Sequence, residues 1–201
     1  MNIYIETERL ILRQFTIDDA EELHAICNQL YVLKWMPDWK ISLEERKEWI
    51  RWIEKQYSKA TQKTARIMLA VTLKSNTKLI GMVGIGNKSE VNNEIEIAYF
   101  VSEEYIHNGY ISEAVKAMTE WAFNNLKLDY LIAIVEPENI LSQRVVEKCG
   151  FAKLETKMVL NSGETEEKPF YYYLLFNTGR SYKSIRLANK AQMSFPRKFY
   201  T

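Results

Sequence analysis

The residues best able to do chemistry gather in one stretch, EIEIAYFVSEEYIHNGYISEA, from Glu94 to Ala114. Its first half is dense in β-branched and aromatic residues and reads as a strand. Its second half carries Ile111, Ala114, Val115, Met118, Ala122 and Phe123 at three- and four-residue spacing, which predicts a helix. Gly109 sits between them, flanked by Asn108. A strand that runs through a loop into a helix N-terminus aims free backbone N–H groups, and the positive end of the helix dipole, at one spot. Such a spot suits a phosphate. A pyrophosphate-bearing cofactor is therefore expected against Asn108, Gly109, Tyr110, Ile111 and Ser112. The adjacent strand edge, where Glu94 and Glu96 alternate onto one face, is the expected place for chemistry.

Other reactive side chains are few. Cys27 and Cys149 stand far apart with no CxxC, so they make neither a disulfide framework nor a zinc site and read as buried thiols. With 2 His in the chain, a multi-histidine metal site is not expected. His24 shares a helix face with Ala20, Leu23 and Cys27 and reads as packing; His107 reads as an exposed loop imidazole.

The elements that must position these residues can be read in order. ERLILRQF is a strand, and Thr16 then caps a helix with Asp18 and Asp19 in its first turn. Pro37 keeps YVLKWMPDWKIS from being one helix. Ser42 to Glu45 matches a capping box before a helix with Trp49, Ile50, Ile53 and Tyr57 on one stripe. RIMLAVTL, KLIGMVGIGN and EIEIAYFV, joined by polar turns, predict an antiparallel meander. Gly81, Gly84 and Gly86 in the middle strand predict close approach or a bulge. After the Tyr110 helix, LIAIV is a continuous apolar run, as in a central strand covered on both faces. ILSQRVVEKCGF predicts a short helix ended by Gly150, and AKLETKMVL and KPFYYYLLFN predict two closing strands around the loop NSGETEE. From Thr178 the sequence turns basic and weakly periodic, which predicts a domain over residues 1–177 and a tail over 178–201.

Composition narrows the function classes. The chain has 201 residues, enough for one domain with its own core. With 27 Lys+Arg against 26 Asp+Glu, the formal charge of +1 gives no pull toward nucleic acid or an anionic membrane. A share of 47% hydrophobic and 26% charged residues is that of a soluble globular protein. No apolar run approaches the ~18 residues of a membrane span. MNIYIETERL lacks a basic region followed by an apolar run, so no signal peptide is expected and the cytoplasm is the expected compartment.

Three blocks carry a family resemblance. IETERLILRQFTIDDAEEL, EIAYFVSEEYIHNGYISEA and ENILSQRVVEKCGFAKLE occur in order, and together with the element sequence they resemble the GNAT acetyltransferase superfamily. Within it, they are similar to the RimJ/RimL-like branch that acetylates ribosomal-protein N-termini. The resemblance runs from about Glu6 to Asn177. It implies an α/β (α+β) GNAT fold: a mixed, mostly antiparallel central sheet of about seven strands flanked by about four helices. Strands 4 and 5, here EIEIAYFV and LIAIV, would be parallel and splayed.

The resemblance also implies roles. Acetyl-CoA would be the co-substrate and no metal is implied. Its pyrophosphate would lie on the Gly109 loop, where the family's polar opener and small closer are replaced by Ile106 and Ile111. Pantetheine amides would pair in the splay beside Phe100 and Val101, whose N–H groups could polarise the thioester. Glu96 would accept the amine proton, with Glu94 as its rival. Asn139 would hydrogen-bond the cofactor, and Ser142 would serve the thiol because the family's usual tyrosine position holds Val146. The acceptor would be a primary amine, either a protein N-terminal α-amine or a small amine, held by Trp35–Trp39, the Trp49 helix and the Lys168–Leu175 region. Dimers are common in that branch, which brings a homodimer into consideration. The alternative function is a non-catalytic acyl-CoA-binding sensor of the same fold, suggested by the altered Gly109 loop.

Overall fold

The computed structural model describes residues 2–161 and 165–178. The N-terminal part runs β1 (Tyr4–Glu6), β2 (Leu10–Gln14), α1 (Ala20–Cys27), α2 (Leu30–Leu33) and α3 (Leu43–Glu54). The meander β3 (Arg66–Leu73), β4 (Leu79–Lys88) and β5 (Glu94–Val101) follows. The chain closes with α4 (Tyr110–Leu126), β6 (Tyr130–Val135), α5 (Ile140–Lys148), β7 (Ala152–Val159) and β8 (Lys168–Phe176). The tail expected beyond Thr178 and the centre of the β7–β8 loop lie outside the described residues.

All the strands form a single 8-stranded sheet in the order β1-β2-β3-β4-β5-β6-β8-β7. Its pairs are antiparallel except β5 with β6, which are parallel. The expected mixed sheet is therefore present, with one strand more than the seven read from sequence. The extra strand, β1, has three residues, too few to show an alternation. The helix at Leu30–Leu33 escaped for the same reason, having one turn.

Local signals explain the element ends. The Thr16 N–H donates to Asp19 Oδ2 at 2.8 Å, and a short 3-10 turn leads into α1. The Ser42 N–H donates to Glu45 Oε2 at 2.8 Å and the Glu45 N–H returns to Ser42 Oγ at 3.3 Å, the reciprocal box read from sequence. Each such cap stabilises its helix by roughly 0.5–2 kcal/mol.

Two apolar layers bury the sheet. Leu131, Ala133 and Val135 of β6 join the main core, whereas Ile132 on the opposite face joins a second cluster with Val91, Val159, Phe170, Tyr172 and Leu174. That double burial is why LIAIV has no polar alternation. Burying each of its large aliphatic side chains contributes about 1.5–3 kcal/mol. In β4, a Cβ on Gly81 would collide with the Phe100 carbonyl and the Val101 Cα. The bare glycine lets the end of β5 press onto β4, which sets the near wall of the site.

Candidate active site

β5 registers with β4 at eight residue pairs, from Lys88↔Glu94 to Gly81↔Val101, but with β6 at the single pair Glu96↔Ile132. Past that pair the two strands part. A cleft of about 830 Å³ occupies the gap, lined on the strands by Glu96, Ile97, Tyr99, Val101, Ala133 and Val135. Backbone groups facing such a gap are left for a ligand to pair, and amide-bearing chains supply the partners.

At one end of the cleft stands the Gly109 loop. Gly109 adopts φ 77°, ψ 1°, the left-handed conformation that glycine reaches without strain. His107 is also left-handed, at φ 64°. α4 then begins with no side-chain cap on its first amides. Gly109, Tyr110, Ile111 and Ser112 all line the cleft; Asn108 does not. The Asn108 side chain turns back to donate to the Ile106 carbonyl at 3.0 Å. Ile106 and Ile111 line the cleft with their sides packed on the core.

A strut from the start of the chain fixes this loop. Glu113, in the first turn of α4, accepts from Thr7 Oγ1 at 2.6 Å, from the Arg9 N–H at 2.9 Å and from Arg9 Nε at 2.8 Å. Arg9 also donates to the Asn108 carbonyl at 3.0 Å and lies 4.5 Å from the centre of the Tyr110 ring. Burial pushes the Glu113 carboxyl up, but the Thr7 and Arg9 hydrogen bonds outweigh it and hold it below its usual range. Sequence reading did not single out Arg9 or Glu113; the only hint was the Arg inside ETERL.

The two candidate carboxylates part company. Glu94 accepts from Tyr130 Oη at 2.9 Å and from Tyr172 Oη at 3.0 Å, and it does not line the cleft. Glu96 does line it, and the Ile134 N–H reaches its Oε1 at 3.4 Å. Burial pushes the Glu96 carboxyl up to about 7, with Glu90 adding to the rise and Lys88, the Ile134 amide and Arg66 pulling against it. A carboxyl poised there can exchange a proton near neutral pH.

Across the cleft, Asn139 caps α5, its Oδ1 accepting from the Ser142 N–H at 3.1 Å. Ser142 Oγ is 2.8 Å from the Tyr99 hydroxyl, which also donates to the Ser142 carbonyl at 3.1 Å. Burial pushes the Tyr99 hydroxyl well above its usual range, against the pull of its Ser142 hydrogen bond. Val146 is fully buried in the main core. Tyr99, Asn139 and Ser142 all face the cleft. The sequence reading missed Tyr99, whose signal was its place in the strand, three residues from Glu96 and so on the opposite face.

The cleft is further walled by Tyr31, Trp35, Met36, Pro37, Trp39 and Phe170. Phe100 and Val101, expected beside the cofactor, both line the cleft, and the Phe100 ring also meets Trp39 at 5.1 Å. Neither cysteine belongs to the cleft: burial pushes the Cys27 thiol up to about 12 and the Cys149 thiol up to about 11. Among the described residues, no group of three or more His, Cys, Asp or Glu side chains is placed to hold a metal ion, and no helix is long and apolar enough to cross a membrane.

Known proteins resemble this chain in sequence and fold. The acetyltransferase (GNAT) domain family matches residues 9–152. A Bacillus subtilis (strain 168) protein described as the uncharacterized N-acetyltransferase YnaD is 28% identical over 174 residues, covering 86% of this chain and 97% of that protein. The crystal structure of a GNAT-family acetyltransferase from Bacillus anthracis is 27% identical, with a TM-score of 0.71 over 87% of this chain and 98% of that one. A RimL ribosomal L7/L12 α-N-protein acetyltransferase, solved with coenzyme A, shares the fold at 16% identity and a TM-score of 0.71, over 89% of this chain and 100% of that one.

Proposed function

Because this chain belongs to the acetyltransferase (GNAT) domain family, we propose that it moves the acetyl group of acetyl-CoA onto a primary amine by direct attack in a ternary complex. It is an acetyltransferase, and its family uses acetyl-CoA. The observation that carries the finer reading is the single β5–β6 register pair at Glu96, which opens a cleft between a proton acceptor and a hydroxyl pair.

The Gly109 loop and the uncapped start of α4 fit the pyrophosphate, and the parted strands fit the pantetheine amides. Glu96 takes a proton from the ammonium form of the acceptor, leaving a neutral nucleophile. The amine nitrogen bonds to the acetyl carbonyl carbon, and the carbon–sulfur bond breaks. A backbone N–H near Phe100 or Val101 polarises the carbonyl. The departing sulfur takes, by way of Ser142, the second proton that the nitrogen sheds as it becomes an amide, with Tyr99 holding the Ser142 hydroxyl. Asn139 holds Ser142 in the first turn of α5 and offers its amide to the cofactor. Holding both substrates together removes part of the barrier by making the attack effectively unimolecular.

The three sequence blocks favour the RimJ/RimL-like branch, and the catalytic unit is residues 1–177. The alternative, a sensor that binds acyl-CoA without turnover, draws on Ile106 and Ile111, which pack on the core beside the Gly109 loop. Thermal shift with acetyl-CoA, followed by CoA release over an amine panel, tests both. Stabilisation with release is expected. Stabilisation without release on any amine favours the sensor, and no stabilisation at all overturns both.

A further inference from the structure

The wall of the cleft around Trp39 is built unlike a polar amine site. Phe15 meets Trp49 at 5.6 Å, Trp49 meets Trp39 at 5.3 Å, and Trp39 meets Phe100 at 5.1 Å, each edge to face. This ladder runs from the core to the cleft wall, and Phe100 lies on the same face of β5 as Glu96. Arg46, 1% exposed, donates to the Trp39 carbonyl at 2.6 Å and lies 5.1 Å from the centre of its ring. Trp39 is thereby held through its backbone and by Trp49, Phe100 and Arg46 against its ring. Met36, Pro37 and Trp35 continue the apolar wall.

The cleft holds no excess of negative charge. Asp38, Glu90, Glu96 and Glu136 line it, and so do Lys34, Lys88, Arg144, Lys148 and Lys168. Lys88 lies 3.6 Å from Glu90, and the Lys34 amine sits 4.5 Å from the centre of the Trp35 ring. A polyamine is favoured by a net negative trough, which these pairs do not provide. An amino sugar would bring hydroxyls to indole, thioether and proline surfaces and lose their hydrogen bonds to water. A rigid apolar wall pays no ordering entropy when an apolar group lands on it.

Resting on the transferase reading, we infer that the acceptor is a primary amine borne on an aromatic or large aliphatic group. Its amine reaches Glu96 while its apolar body lies along Trp35, Met36 and Trp39. A free arylalkylamine and a peptide N-terminus with a large apolar first residue share this chemistry.

The test is CoA release by the full chain with acetyl-CoA and four acceptors: phenethylamine, a Phe-leading tripeptide, spermidine and glucosamine. The kcat/KM for phenethylamine or the peptide is expected to exceed that for spermidine and glucosamine at least about tenfold. Phenethylamine ahead of the peptide assigns a small amine, and the reverse assigns a protein N-terminus; both support the inference. Spermidine or glucosamine ahead overturns it and leaves the transferase reading standing. No release with any acceptor fails the transferase reading as well. Trp39 is packed into the ladder, so the variant to use is Trp35→Ala; among the described residues, Trp35 is not one of those packed on the main core. Trp35→Ala is expected to raise the KM for the preferred apolar acceptor about tenfold, and an unchanged KM overturns the assignment of this wall.

Discussion

The Tyr99 hydroxyl lies 2.8 Å from Ser142 Oγ and 3.1 Å from the Ser142 carbonyl oxygen, joining β5 to the first turn of α5 across the cleft. Either hydroxyl can donate in this pair; when Tyr99 donates to Ser142 Oγ, the Ser142 proton is left to face the sulfur. Tyr99→Phe removes this restraint and leaves the ring. We expect kcat to fall roughly tenfold, about 1.4 kcal/mol, with the KM for acetyl-CoA little changed. Ser142→Ala should do the same, and the double variant should lose no more than the worse single one. Full additivity in that cycle would separate the two residues.

Glu96 carries the pH dependence. Its carboxyl is raised to about 7, so the base form appears only as pH rises through that value. Turnover should climb along a single-proton limb near pH 7, and Glu96→Gln should abolish the limb along with most of the rate. Stability runs the other way. A raised carboxyl contributes most below its ordinary pKa and loses that contribution as pH rises through the folded value. Glu96→Gln should therefore have a higher Tm than wild type above pH 7, by roughly 2–4 °C per kcal/mol recovered. A variant that is both less active and less stable at pH 8 would reassign Glu96 to a structural role.

Gly109→Ala tests the phosphate loop through its backbone. A Cβ there meets nothing closer than Arg9 Nη2 at 3.6 Å, so space is not the obstacle; φ 77° is. Holding an alanine in that conformation costs about 1–2 kcal/mol. Weaker acetyl-CoA binding by isothermal calorimetry, with a modest Tm loss, is the expected result. Wild-type affinity in a folded variant would place the phosphate elsewhere.

Glu113→Gln tests the strut. The carboxyl is held below its usual range, so its stabilisation is present above the ordinary carboxylate pKa and lost as pH falls through the folded value. The Tm gap between wild type and variant should be widest near neutral pH and close in acid. Broken charged hydrogen bonds of this kind cost about 1.5–3 kcal/mol. A gap that is constant with pH would show that the charge of Glu113 is not what holds Arg9.

What the sequence made legible was local. Thr16 with Asp19 and Ser42 with Glu45 are three residues apart, so their caps are written in the chain itself. Gly109 announced its turn by lacking a side chain. The rest depends on distant partners. Both glutamates of β5 could be put on one face, but only Tyr130 and Tyr172, 36 and 78 residues on from Glu94, decide which carboxylate is occupied. Arg9 meets Glu113 across 104 residues, and Tyr99 meets Ser142 across 43. Periodicity reports which face a side chain takes, never who stands opposite.

The lone rung between β5 and β6 has a mechanical consequence. It divides the sheet into two leaves, β1 to β5 and β6 to β8, that meet like the blades of a partly opened fan. Glu96 belongs to that rung and so sits at the pivot. A rotation of one leaf against the other would move the far edges most and the rung least. The proposed proton acceptor thus stands where such a rotation would displace it least.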